Sequence, residues 1–187
     1  MSDHLFRFGR LDGADSVQVF HRNTYAQQTT SSGAPRLAIA SKSPLPLFLD
    51  LADILSPPLD LLYLLHTSRC GSELGRYQSP PLKKETLRAL ANEFSEFLST
   101  DGRHDVWLHS RSPESTLVWD RDNLIHAYGP LDRFVEVLQR EGLVEGDVSI
   151  QVPHTHHYHA RFDDDERRIL EHFEWTRTPL KPSDAQI

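Results

Sequence analysis

A single cysteine, Cys70, stands in a chain of 187 residues. No internal disulfide framework can form, and a reducing compartment is the expectation. Long apolar runs are missing too. The longest lies near Leu59 to Leu65, far short of the ~20 residues that a bilayer-spanning helix needs. The opening Met1-Ser-Asp-His-Leu-Phe-Arg-Phe8 lacks the apolar centre of a secretory signal. Together these absences lead to the expectation of a soluble, cytoplasmic protein with no membrane partner. Positive charge is in deficit: the formal net charge is −7, which argues against a nucleic-acid partner. Hydrophobic residues make up a lean 38% and prolines number 12, so ordered loops should be long. A chain of this length still buries roughly 70% of its unfolded surface without metal or disulfide. One domain over 1–187 is the simplest organisation.

What is present is clearest at the centre. His104-Asp-Val-Trp-Leu-His109, Ser115-Thr-Leu-Val-Trp-Asp120 and Leu124-Ile-His-Ala-Tyr128 each alternate, the period of half-buried strands. After Gly129-Pro130 the period turns helical, with Leu131, Phe134, Val135 and Leu138 on one stripe and Gly142 as the stop. Upstream, Leu59 to His66 is the near-continuous apolar run of a central strand. Leu87, Leu90, Ala91, Phe94, Phe97 and Leu98 mark a helix. Downstream, Asp147 to Val152 alternates as a last strand, and Asp163 with Glu166 makes a capping box for a helix carrying Ile169, Leu170 and Phe173.

The flanks are simpler. Residues 4–8 and 17–21 predict a hairpin through the turn-rich 11–15. The polar stretch 27–35 predicts a mobile loop, 36–40 a strand, and 47–55 a helix ended by Pro57-Pro58. Residues 1–45 thus form a β elaboration, 59–175 an α+β core, with a loop over 67–81, and 176–187 an irregular tail. The core order, βα-βββ-αβ, resembles the ferredoxin-like split βαβ pattern on an antiparallel sheet. Helices then cover Val106, Leu108, Val118, Ile125 and Ala127. The opposite face presents Trp107, His109, Leu117, Trp119, His126 and Tyr128, an aromatic and histidine surface that needs a cover. The N-terminal segment is the expected cover; otherwise the face binds a ligand or a second copy in a homodimer.

Three groups of residues could carry chemistry. Pro153-His-Thr-His-His-Tyr-His159 places four histidines in six residues. On an extended chain His154 and His156 share one side, His157 and His159 the other. With a carboxylate from Asp163, Asp164 or Asp165 such imidazoles can hold a divalent metal such as zinc. The string resembles the His-x-His-x-Asp-His motif of the metallo-β-lactamase superfamily, but Tyr158 stands where that family has a metal-binding Asp. Little chain follows to supply its other ligands, so the family is set aside. Cys70-Gly-Ser-Glu-Leu-Gly-Arg76 resembles the phosphate loop of cysteine phosphatases. Glu73 would repel a phosphate, and Pro80-Pro81 delay the helix that should hold it; Cys70 is expected not to be a nucleophile. His66, His104, His109 and His126 lie at or near strands and read as hydrogen-bonded edge residues. Asp120-Arg-Asp-Asn123 reads as a turn.

The expected function is therefore that of a non-enzymatic binding or regulatory module without a cofactor. Its site is the sheet face of Trp107, His109, Trp119, His126 and Tyr128, and its ligand a protein or small molecule. The alternative is a metal-dependent, hydrolase-like enzyme using His154, His156, His157, His159 and Asp163. Along the extended chain these five side chains are expected to diverge.

Overall fold

A computed structural model describes residues 5–12, 15–18, 21–150 and 153–185. In chain order they form β1 (Phe8–Asp12), β2 (Asp15–Gln18), β3 (Thr24–Thr29), β4 (Pro35–Ala40), α1 (Pro44–Ala52), β5 (Leu59–Leu65) and β6 (Gly75–Gln78). Then follow α2 (Lys84–Glu93), α3 (Ser95–Thr100), β7 (His104–Arg111), β8 (Glu114–Trp119), β9 (Leu124–Tyr128) and α4 (Leu131–Arg140). The last elements are β10 (Val144–Glu145), β11 (His154–His156), α5 (Asp163–Glu171) and β12 (Thr176–Thr178). The architecture is α+β with two sheets. Nine strands run in the order β10-β3-β4-β9-β8-β7-β5-β6-β12, and a smaller sheet has the order β11-β1-β2. Every pairing is antiparallel except β10 with β3. No described helix is long and apolar enough to cross a membrane.

The ferredoxin-like order is not confirmed. The helical connection from β5 to β7 returns antiparallel to the adjacent position, whereas a βαβ unit joins parallel strands. The strand expected at 147–152 is absent over 147–150, and 151–152 lie outside the described residues. So do residue 4, 13–14 of the expected hairpin turn and 19–20 of the strand expected at 17–21. Part of the stretch 27–35, expected as loop, is strand: Gln27↔Leu37 to Thr29↔Pro35 pair in a hairpin. Thr30 and Ala34 close its turn through Gly33 at φ 86°, a left-handed value that glycine adopts without strain. The expected loop 67–81 contains β6, and the expected tail supplies β12, which pairs with it. The helix expected at 87–98 breaks at Phe94 into α2 and α3, yet the whole apolar stripe stays buried.

One sheet face carries the core. Leu37, Ile39, Leu61, Tyr63, Val106, Leu108, Leu117, Trp119, Ile125 and Ala127 meet the apolar stripes of all five helices. Burying each such side chain contributes about 1.5–3 kcal/mol. Trp119 is the main correction. It is fully buried on this helix-covered face, 6.1 Å from the Phe48 ring, not on the open face with Trp107. The two-residue turn Ser112-Pro113 pairs Val106 with Trp119 and Trp107 with Val118, so Leu117 and Trp119 point inward and Val118 outward. Part of the open face is covered by the segment after β10, where Val148 and Ile150 pack on Ala38, Ala40 and Leu124. Among the described residues, the segment before β3, the expected cover, adds nothing to this cluster.

Candidate metal centre

The small sheet docks where β7 begins and the β8–β9 turn lies. Its anchor is Arg7, fully buried, whose guanidinium lies 4.7 Å over the Trp119 ring. That guanidinium donates to the carbonyls of Leu98 (2.8 Å), His104 (2.7 Å) and Asp120 (3.1 Å). β11 runs beside β1 with Phe8↔His156 and Arg10↔His154 in register, and two-residue alternation turns both imidazoles to one side. Past β11, the His157 amide donates to Arg7 and the Gly102 amide to His157. A Cβ on Gly102 would lie 2.5 Å from the Arg7 carbonyl oxygen; only glycine permits that approach.

The β8–β9 turn supplies the third group. Asn123 takes φ 66° and receives the Trp119 indole N–H at 3.0 Å. Asp120 accepts the Leu124 amide at 2.9 Å, and Asp105 accepts the Arg121 amide at 2.8 Å. So held, the turn projects Asp122 toward β11. Asp122 Oδ1 lies 2.7 Å from His156 Nε2 and 3.8 Å from His154 Nε2, and the three candidate ligand atoms all fall within 4.8 Å of one another. His21 Nε2 meets the Asp122 carbonyl at 3.0 Å, and the Phe8 ring lies against His21, His154 and His156. Burial opposes the Asp122 charge. The His156 hydrogen bond, with the attraction of His156, His154 and Arg121, outweighs it and holds the carboxyl below its ordinary value.

These residues open on a cleft of about 150 Å³ shared with Asp105, Asp120, Arg121 and Asp184. Each of the other carboxylates is turned onto a partner: Asp105 onto His66 at 2.8 Å, Asp120 onto His126 at 3.0 Å, and Asp184 onto Arg76 and the Lys181 amide. Burial raises the Asp120 carboxyl above its ordinary value despite the His126 bond.

Of the five side chains named for the metal alternative, and expected to diverge, two converge. His157 stacks on His159 at 6.4 Å and meets the Phe6 ring at 4.5 Å, while His159 Nε2 contacts the Phe6 carbonyl. Asp163 lies with Arg103 and Arg69. The converging carboxylate is Asp122, which reads as a turn residue in the sequence. The Asp163–Glu166 capping box is not formed: no side chain caps α5. Glu166 turns inward instead, to Arg103, Ser68 (2.5 Å) and Cys70 (2.9 Å). On the open sheet face, Trp107 lies under the Arg76 guanidinium, His109 meets Thr116, and Tyr128 receives a bond from Arg36. His126 shares that face but is buried on Asp120. No protein-family model matches this chain, and no curated protein or solved structure matches it either.

Proposed function

We propose that the chain is a divalent-metal protein, with His154, His156 and Asp122 as ligands of a metal-dependent enzyme. The supporting observation is the convergence of two strand imidazoles and one carboxylate oxygen within 4.8 Å. Ligands about 2.1 Å from one ion lie about 3–3.4 Å apart, so the His156–Asp122 contact has to open by only about half an ångström. Three protein ligands leave coordination positions free, the pattern of catalytic rather than closed structural sites. Bound there, the ion supplies Lewis-acid chemistry. The chain's own residues hold it: Phe8 packs the rings, His21 meets the turn backbone, and Arg7 ties both supports together. Calorimetric titration of untagged, chelator-treated protein with Zn2+ tests this. One equivalent should bind, with affinity reduced at least 100-fold in Asp122→Ala and His156→Ala and unchanged in His109→Ala. No binding, or equal binding by all four proteins, contradicts it.

A second reading rests on the open sheet face. Trp107, Tyr128, Thr116 and Arg36 line a groove of about 780 Å³, a size suited to a small-molecule ligand. Ligand-induced stabilisation that is lost in Trp107→Ala and kept in Asp122→Ala would select this binding role over the metal.

A further inference from the structure

We infer that the substrate of this centre carries a carboxylate or similar planar oxyanion, held between the metal's free positions and the Arg121 guanidinium. The inference rests on the metal reading above. Arg121 lines the same cleft as the three ligands. Its backbone amide is committed to Asp105. Among the described residues its guanidinium forms no hydrogen bond or ion pair, only a through-space attraction to Asp122. Every other carboxylate on the cleft already faces a partner of its own: Asp105 the His66 ring, Asp120 the His126 ring, and Asp184 the Arg76 guanidinium.

Metal binding changes the balance at this one point. A divalent ion takes over the Asp122 charge, and Arg121, which lines the cleft, loses the carboxylate it acts on. Metal and guanidinium then present adjacent positive groups to the same small volume. A guanidinium presents its donors as a planar fork that matches two carboxylate oxygens, and a hard oxyanion is a natural ligand for the ion's open positions. A cleft of about 150 Å³ admits only a small molecule. A cationic substrate would meet two positive groups and only carboxylates already turned onto partners of their own.

The test uses metal-loaded protein freed of excess Zn2+, titrated with oxalate and, separately, with its uncharged isostere oxamide. Native mass spectrometry confirms that the ion stays bound. Oxalate should bind the wild type at least tenfold more tightly than oxamide. Arg121→Gln should weaken oxalate at least tenfold while changing Zn2+ affinity by less than threefold, and Arg121→Lys should fall between. Neither replacement removes a contact that the fold uses. Normal Zn2+ uptake with oxalate affinity unaltered by Arg121→Gln, or with oxamide bound equally well, overturns this inference and leaves the metal reading standing. Absence of Zn2+ uptake overturns both.

Discussion

Removing the guanidinium of Arg103 should be among the most damaging single changes in this chain. The side chain is fully buried and donates to both oxygens of Asp101 (2.7 and 3.0 Å), to Glu166, to Asp163 (3.3 Å) and to the His159 carbonyl (3.0 Å). Burial works against its charge, but Asp101 and Glu166 hold it protonated more firmly than usual. Asp101 and Glu166 are themselves inaccessible to solvent. Arg103→Met keeps the volume and leaves two buried carboxylates without their cation. Breaking a buried pair from one side costs about 3–5 kcal/mol, and a chain of this size loses about 2–4 °C of melting temperature per kcal/mol. The expected loss is about 6–20 °C by thermal unfolding followed at two wavelengths. Adding Glu166→Gln to Arg103→Met should recover part of it, through a coupling of about 1–3 kcal/mol. Glu166 also sets an acid limit. Burial raises its carboxyl, but hydrogen bonds from Cys70, Ser68, Ser72 and Arg103 prevail and hold it below the ordinary value. Its contribution is therefore complete above the ordinary carboxylate range and disappears as pH falls through the depressed folded value. Arg103→Met should diminish that acid-sensitive component. A melting loss under about 2 °C, or a strictly additive double variant, would refute the reasoning.

Other expectations follow from the same packing. Burial, reinforced by repulsion from Arg7, Arg103 and His66, keeps the His104 imidazole neutral well below its ordinary titration range. The unfolded chain then takes up a proton that the native state refuses. His104 alone should remove up to about 1.4 kcal/mol per pH unit below about pH 6.5, and urea midpoints from pH 7.5 to 5 should fall less steeply in His104→Phe; an unchanged slope would count against this. Trp119→Ala should cost about 3–5 kcal/mol by urea unfolding, and Trp107→Ala on the open face clearly less; the reverse order would contradict the register. Gly102→Ala pushes a Cβ into the Arg7 carbonyl and the His156 side chain. It should destabilise by about 1–3 kcal/mol and weaken Zn2+ at least tenfold, whereas normal affinity would detach β11 from the site.

Much of the large sheet is legible because periodicity is a local property. β5, β7, β8, β9 and α4 all lie where an apolar run, alternation or a helical stripe places them. Parity between strands is not local: the Ser112-Pro113 turn makes the cross-strand pairs sum to an odd number, and a change of one residue in turn length would have put Trp119 outside. Val148 and Ile150 alternate like a strand, yet they pack on Ala38 and Ala40, whose small side chains leave room for them without a ladder. The short strands β6 and β12, at one end of the sheet, carry too few residues for a period to show. The candidate site was half visible. His154 and His156 stand out as a pair, but Asp122 lies 34 positions before His156 and resembles any turn aspartate. Asp163, adjacent in sequence, is drawn away by Arg103 and Arg69, which the chain order does not announce.

The central claim is that His154, His156 and Asp122 share one ion. Crystals grown with one equivalent of Zn2+ and measured on both sides of the zinc absorption edge test it most directly. The expected result is a single strong anomalous peak about 2.0–2.2 Å from both Nε2 atoms and from Asp122 Oδ1, with the direct His156–Asp122 hydrogen bond opened. Zinc scattered over other histidines, with that bond still closed at 2.7 Å, would contradict it.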